Sequence, residues 1–74
     1  MMSSEEIKDA MMHLKQVKYE GISYSRISAY IYRVIETNKP GVFKAILQCE
    51  LLDRNKKSVV IVDPKKVELI EDGN

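Results

Sequence analysis

Few side chains in this sequence are of a type that does covalent or acid–base chemistry, and their spacing limits what each can do. His13 is the only histidine and Cys49 the only cysteine. A lone histidine on a short helix has no partner to make it a general base or a ligand, so His13 is expected to be a surface or packing residue. Cys49 falls on the apolar parity of a regular strand, where a thiol behaves as a small hydrophobe. An intrachain disulfide and a Cys/His zinc cage are both excluded. The carboxylates are scattered over polar positions with no pair held at a fixed spacing, and Gly21, Gly41 and Gly73 are isolated rather than gathered in a phosphate-cradling loop. No catalytic site, metal or cofactor is expected.

Binding chemistry has better support. Residues 54–66 hold Arg54, Lys56, Lys57, Lys65 and Lys66 against Asp63 alone. If the two turns carrying them lie close together they can receive phosphate groups; otherwise they are solvated residues that deter strand aggregation. Arg33 interrupts the row Ile27, Ala29, Ile31, Ile35, which is taken as the inward side of a strand. A charge there must emerge at the rim along its aliphatic stem, pair with Glu50 or Glu36, or contact a ligand. Tyr30 and Tyr32, with Val34 beside them, form an amphipathic strip on the opposite face. That strip suits docking of the chain's own helix, a homo-oligomer interface, or stacking on a ligand or nucleic acid.

These side chains need elements to hold them. Ser3-Ser4-Glu5-Glu6 reads as a capping box, Ser3 accepting from the Glu6 amide while the Glu6 carboxylate reaches back, with acids at the positive end of the dipole. Ile7, Ala10, Met11 and Leu14 follow at helical spacing, so a helix is expected over 4–15 whose Ile7, Met11, Leu14 stripe must dock on another element. From Val17 the period becomes two. Val17–Tyr19 and Ile22–Tyr24 flank a Glu20-Gly21 turn, Ile27–Glu36 is a long strand, and Thr37–Gly41 is a turn. The next strand, Val42–Asp53, has Phe43, Ala45, Leu47, Cys49 and Leu51 on one parity. Ser58–Val62, a tight turn at Asp63–Lys66 and Val67–Ile70 complete the pattern, and 71–74 are expected to be a disordered tail. The expected fold is α+β, mainly β: one domain over 1–74, with an N-terminal helix and a small five-stranded antiparallel SH3-like barrel over 17–70.

Size sets a further condition. A chain of 74 residues with about sixty in the folded part has a core supplying roughly 3–5 kcal/mol, so it needs a staple or a partner subunit. With disulfide and zinc excluded, self-association remains. Twelve basic against eleven acidic residues argues against a general nucleic-acid binder. The opening MMSSEEIKD has no apolar core region and no run approaches a span of ~20 apolar residues, so no membrane association and a cytoplasmic location are expected.

The segment SVVIVDPKKVELI resembles the ending of SH3-like barrels, which implies a strand, one turn of tight helix and a short closing strand. Over residues 17–69, VKYEGISYSRISAYIYR and AILQCELLDRNKKSVVIVDPKKVEL resemble short proteins carried by prophages and mobile elements of Gram-positive bacteria. That likeness implies a context, a small accessory protein acting on a host system, and no functional residues. Three functions follow as expectations. The first is a self-associating binding module for a host protein partner. The second is a nucleotide or nucleic-acid binder, perturbing host signalling or defence, that uses Arg33, the tyrosines and the lysines. An Sm-like RNA-binding ring, suggested by layout alone, is the third.

Overall fold

The computed structural model describes residues 2–70. The chain begins with α1 (Ser4–Met12), then β1 (Val17–Tyr19), β2 (Ile22–Tyr24), β3 (Arg26–Glu36), β4 (Phe43–Leu52), β5 (Val59–Val62), a 3-10 turn (Pro64–Lys66) and β6 (Val67–Leu69). The capping box is in place: Glu6 N–H donates to Ser3 Oγ at 3.2 Å, and Ser3 N–H donates to Glu6 Oε1 at 2.9 Å.

The helix stops earlier than its apolar spacing implies. Leu14 takes a left-handed conformation (φ 52), its N–H donating to the Met11 carbonyl and that of Lys15 to the Ala10 carbonyl, the paired bonds of a Schellman ending. This turns Leu14 out of the stripe and leaves it 63% exposed. Ile7 and Ala10 are buried, Met11 packs against the core, and the helix docks chiefly on β3. Leu14 therefore does not help to dock the helix on its own subunit.

The described residues hold six strands rather than the five of the expected barrel, and Ser25 separates β2 from β3, which lie in different sheets. The sheets are antiparallel, with orders β2-β1-β6 and β3-β4-β5, and they do not close into a barrel. Closure would need the first sheet to pair along an edge of the second, and β1, β2 and β6 have three residues each. The sheets are joined at Ser25, whose N–H donates to the Leu52 carbonyl at 2.8 Å, and by the 3-10 turn. Between them and α1 lies the core of Met2, Ile7, Ala10, Val17, Ile27, Cys49, Leu51, Val62 and Val67. The SVVIVDPKKVELI segment forms strand, 3-10 turn and strand, with Asp63 Oδ1 accepting from Lys65 N–H at 2.9 Å. Glu20 and Gly21 both take positive φ, as a two-residue hairpin turn of this hand requires.

One irregularity reorients the long strand. Ile27 pairs with Leu51 but Ala29 with Glu50, so Ser28 is an extra residue, a β-bulge. Its hydroxyl donates toward Glu50 Oε1 at 2.8 Å and lies 3.2 Å from the Glu50 carbonyl oxygen. Because side chains alternate with a period of two, one inserted residue exchanges the faces. Ile27 points into the core before the bulge; after it Tyr30, Tyr32 and Val34 share the face of Cys49, Leu47 and Ala45, their pairing partners. Ala29, Ile31, Arg33 and Ile35 lie on the outer face. They are not the inward row that strict alternation from Ile27 implies.

Candidate functional site

The molecule is long for its size, with extents of 52 × 26 × 21 Å. Its length comes from the β3–β4 ribbon. These strands pair from Arg26–Leu52 out to Glu36–Phe43, while β5 accompanies β4 only over Cys49–Leu52. Beyond that the ribbon leaves the core, and Tyr32, Val34, Ile35, Val42, Phe43 and Leu47 are exposed. Val59, Val60 and Ile61 of the edge strand β5 are exposed too.

A groove of ≈ 810 Å³ runs beside this ribbon. Met2, Ser4 and Ile7 at the start of the helix form one wall, Lys44–Gln48 of β4 another, and Ile61–Lys65 its end; Tyr19 and Tyr30 contribute their rings. The β4 backbone has an open edge along the groove. Asp53 N–H donates to the Ser58 carbonyl, so Asp53 faces β5, and alternation gives the same direction to Leu51, Cys49, Leu47, Ala45 and Phe43. The last three lie beyond the end of β5. Their N–H and C=O groups have no strand beside them among the described residues.

The expected site residues are distributed unevenly around this surface. Tyr30 is half-buried, packs on the core and lines the groove. Tyr32, two positions on, is 71% exposed. Arg33 is exposed on the outer face, and its Nε donates to Gln48 Oε1 at 2.9 Å. It needs neither Glu50 nor Glu36, because the bulge has removed it from the inward row. Lys65 lines the groove and Lys66 is exposed beside it in the 3-10 turn. Arg54, Lys56 and Lys57 are exposed at the other end of β5. β5 has four residues, so the two basic turns are held roughly 13 Å or more apart. They do not form one patch.

The two residues with the greatest chemical potential are used locally. His13 caps the helix, its Nδ1 lying 2.9 Å from the Asp9 carbonyl oxygen and 3.1 Å from Asp9 Oδ1. Lys15 Nζ donates to Asp9 Oδ2 at 3.1 Å and, with His13, keeps the Asp9 carboxyl below its usual range. Cys49 is fully buried, and burial, with the nearby Asp63 carboxylate, pushes its thiol up to about 11. A thiol held protonated is a poor nucleophile. Among the described residues no group of three or more His, Cys, Asp or Glu side chains is placed to hold a metal. No helix there is long and apolar enough to cross a membrane.

Lys44 and the backbone of Phe43, Ala45 and Leu47 are missed by a reading that assigns the whole odd parity of β4 to a core. Strand length carries a signal for them. β4 has ten residues and β5 four, so over half of one β4 edge has no neighbouring strand among the described residues. Comparison with protein-family models, curated proteins and solved structures gives no match.

Proposed function

We propose that this chain is a non-enzymatic, self-associating binding module that acts on a protein partner. The observation that supports this most is the apolar surface of the ribbon and of β5. Large contiguous apolar patches on soluble chains mark interaction sites, and here Tyr32, Val34, Phe43 and Leu47 extend the core face beyond the elements that cover it among the described residues. Among the described residues the core has nine buried apolar side chains, few enough that a partner subunit contributes materially to stability. The β5–turn–β6 ending supports an open, SH3-like layout for the scaffold. The resemblance to prophage and mobile-element proteins supports a cytoplasmic setting with a host protein as the eventual partner.

Light scattering during gel filtration tests the self-association, repeated over a range of salt. An oligomer whose mass is insensitive to salt is expected for an apolar contact; a monomer at every concentration refutes the reading. A nucleotide or nucleic-acid role has one observation in its favour, the convergence of Tyr30, Lys44 and Lys65 on one groove. It requires excess absorbance at the nucleotide band after purification, or affinity for an oligonucleotide that falls linearly with log salt. An Sm-like ring requires the mass of a closed ring, so a dimer removes it.

A further inference from the structure

We infer that the open edge of β4 pairs with the same edge of a second copy, antiparallel about a two-fold axis at Ala45. This deepens the self-association proposed above and rests on it. Phe43, Ala45 and Leu47 direct their N–H and C=O groups to the open side, which faces the groove and carries no strand among the described residues. An unpaired edge of this kind is a template for a further strand.

The sequence along the edge fits its own copy. With Ala45 on the axis, Phe43 lies opposite Leu47 of the second copy and Leu47 opposite Phe43, so large apolar side chains meet across the pair. The smallest side chain of the row meets itself at the axis, where two identical residues approach most closely. Lys44 falls opposite Ile46 of the second copy, so no like charges are opposed. Each of the three residues supplies one donor and one acceptor, and the register satisfies all of them. Pairing ends at Leu47, just before Cys49, where Val62 of β5 occupies the edge. The two copies place Tyr32, Val34, Phe43 and Leu47 on one common face, because an axis perpendicular to the sheet preserves facing. An isologous contact is closed, so it uses the edge without propagating into a fibre.

Cross-linking and backbone deletion test the register. Ala45→Cys is expected to form a disulfide-linked dimer under oxidised glutathione, since directly opposed residues lie about 5.5 Å apart. Lys44→Cys and Gln48→Cys, which do not face themselves in this register, are expected to cross-link far more slowly. The unsubstituted chain controls for Cys49. Ala45→Pro removes an N–H that no strand among the described residues uses, on an edge where proline is tolerated. It is expected to raise the dissociation midpoint roughly tenfold or more while the far-ultraviolet spectrum stays that of the folded protein. A dimer that neither cross-links at position 45 nor responds to Ala45→Pro overturns this register and leaves self-association standing. A monomer in light scattering overturns both.

Discussion

Along β4 one face reads Leu51, Cys49, Leu47, Ala45, Phe43; the first two are fully buried, whereas Leu47 is 44% and Phe43 60% exposed. Its partner strand divides in the same way, with Tyr30 packed on the core and Tyr32 and Val34 exposed. Residue type does not distinguish the two halves of the ribbon. What differs is the material beside them: the inner half has α1, β5 and the first sheet, whereas among the described residues the outer half has its own hairpin and an open groove. An apolar alternation therefore identifies a face that seeks cover, and the lengths of neighbouring elements decide how much of it the chain can cover itself.

The contrast is broken most severely at Leu51. Leu51→Ala is expected to cost about 2–5 kcal/mol, comparable with the whole core of so small a chain, and to leave the protein largely unfolded in a denaturant titration at any concentration. Leu47→Ala is expected to change the isolated subunit by no more than about 0.5 kcal/mol, with any further loss dependent on concentration. Equal, concentration-independent losses at both positions would show that the outer half is covered within one subunit.

Tyr30 and Tyr32 sharpen the comparison over two residues. Tyr30→Ser is expected to lower the thermal midpoint of the dilute protein, because it removes a ring that packs on the core. Tyr32→Ser is expected to leave that midpoint unchanged and to reduce the mass measured at high concentration.

Acid should affect the inner part of the molecule. Ser3 lowers the Glu6 carboxyl, Lys15 and His13 that of Asp9, and Ser58 that of Asp53, with the Lys57 amide assisting. A carboxyl whose folded value is depressed favours folding above its unfolded value, and that contribution disappears as pH falls through the folded value. The urea midpoint is therefore expected to be level near neutrality and to fall below the ordinary carboxylate range. A midpoint that rose with acid would contradict these pairings.

The smallest effect lies at the helix end. Leu14 is exposed in a left-handed conformation, so Leu14→Gly is expected to stabilise the fold by up to about 1 kcal/mol. A loss on the same scale in chemical denaturation would mean that the Leu14 side chain makes contacts that outweigh its backbone strain.

Much of the local structure is legible in the residues. The capping box, the Glu20-Gly21 turn, and the strand, turn and strand from Val59 to Leu69 follow from short-range chemistry and appear as expected. Residues 71–74, where a tail is expected, lie outside the described residues. The features that escape the sequence are set at longer range. Leu14 fits a helical stripe, but the paired bonds from Leu14 and Lys15 end the helix before it. Ser28 resembles any polar strand residue until Ile27 and Ala29 are matched to adjacent residues of β4. The basic residues are near neighbours in sequence, yet a strand they flank must hold them apart. Tyr30 and Tyr32 read alike in the sequence, as a strip for the helix, a second copy or a ligand; that both share the face of Cys49, and that Arg33 lies opposite, required the bulge to be known.

The bulge at Ser28 also governs which changes of chain length the protein can absorb. Deleting one residue there would restore strict alternation and leave every later side chain of β3 on its present face, because Ala29 and Tyr30 would still stand opposite Glu50 and Cys49. A deletion and an insertion of one residue on opposite sides of Ile27 would invert only the short segment between them. The strand thus behaves like a genetic reading frame, in which single-residue changes elsewhere need a compensating partner and Ser28 is the position where a lone deletion keeps the phase.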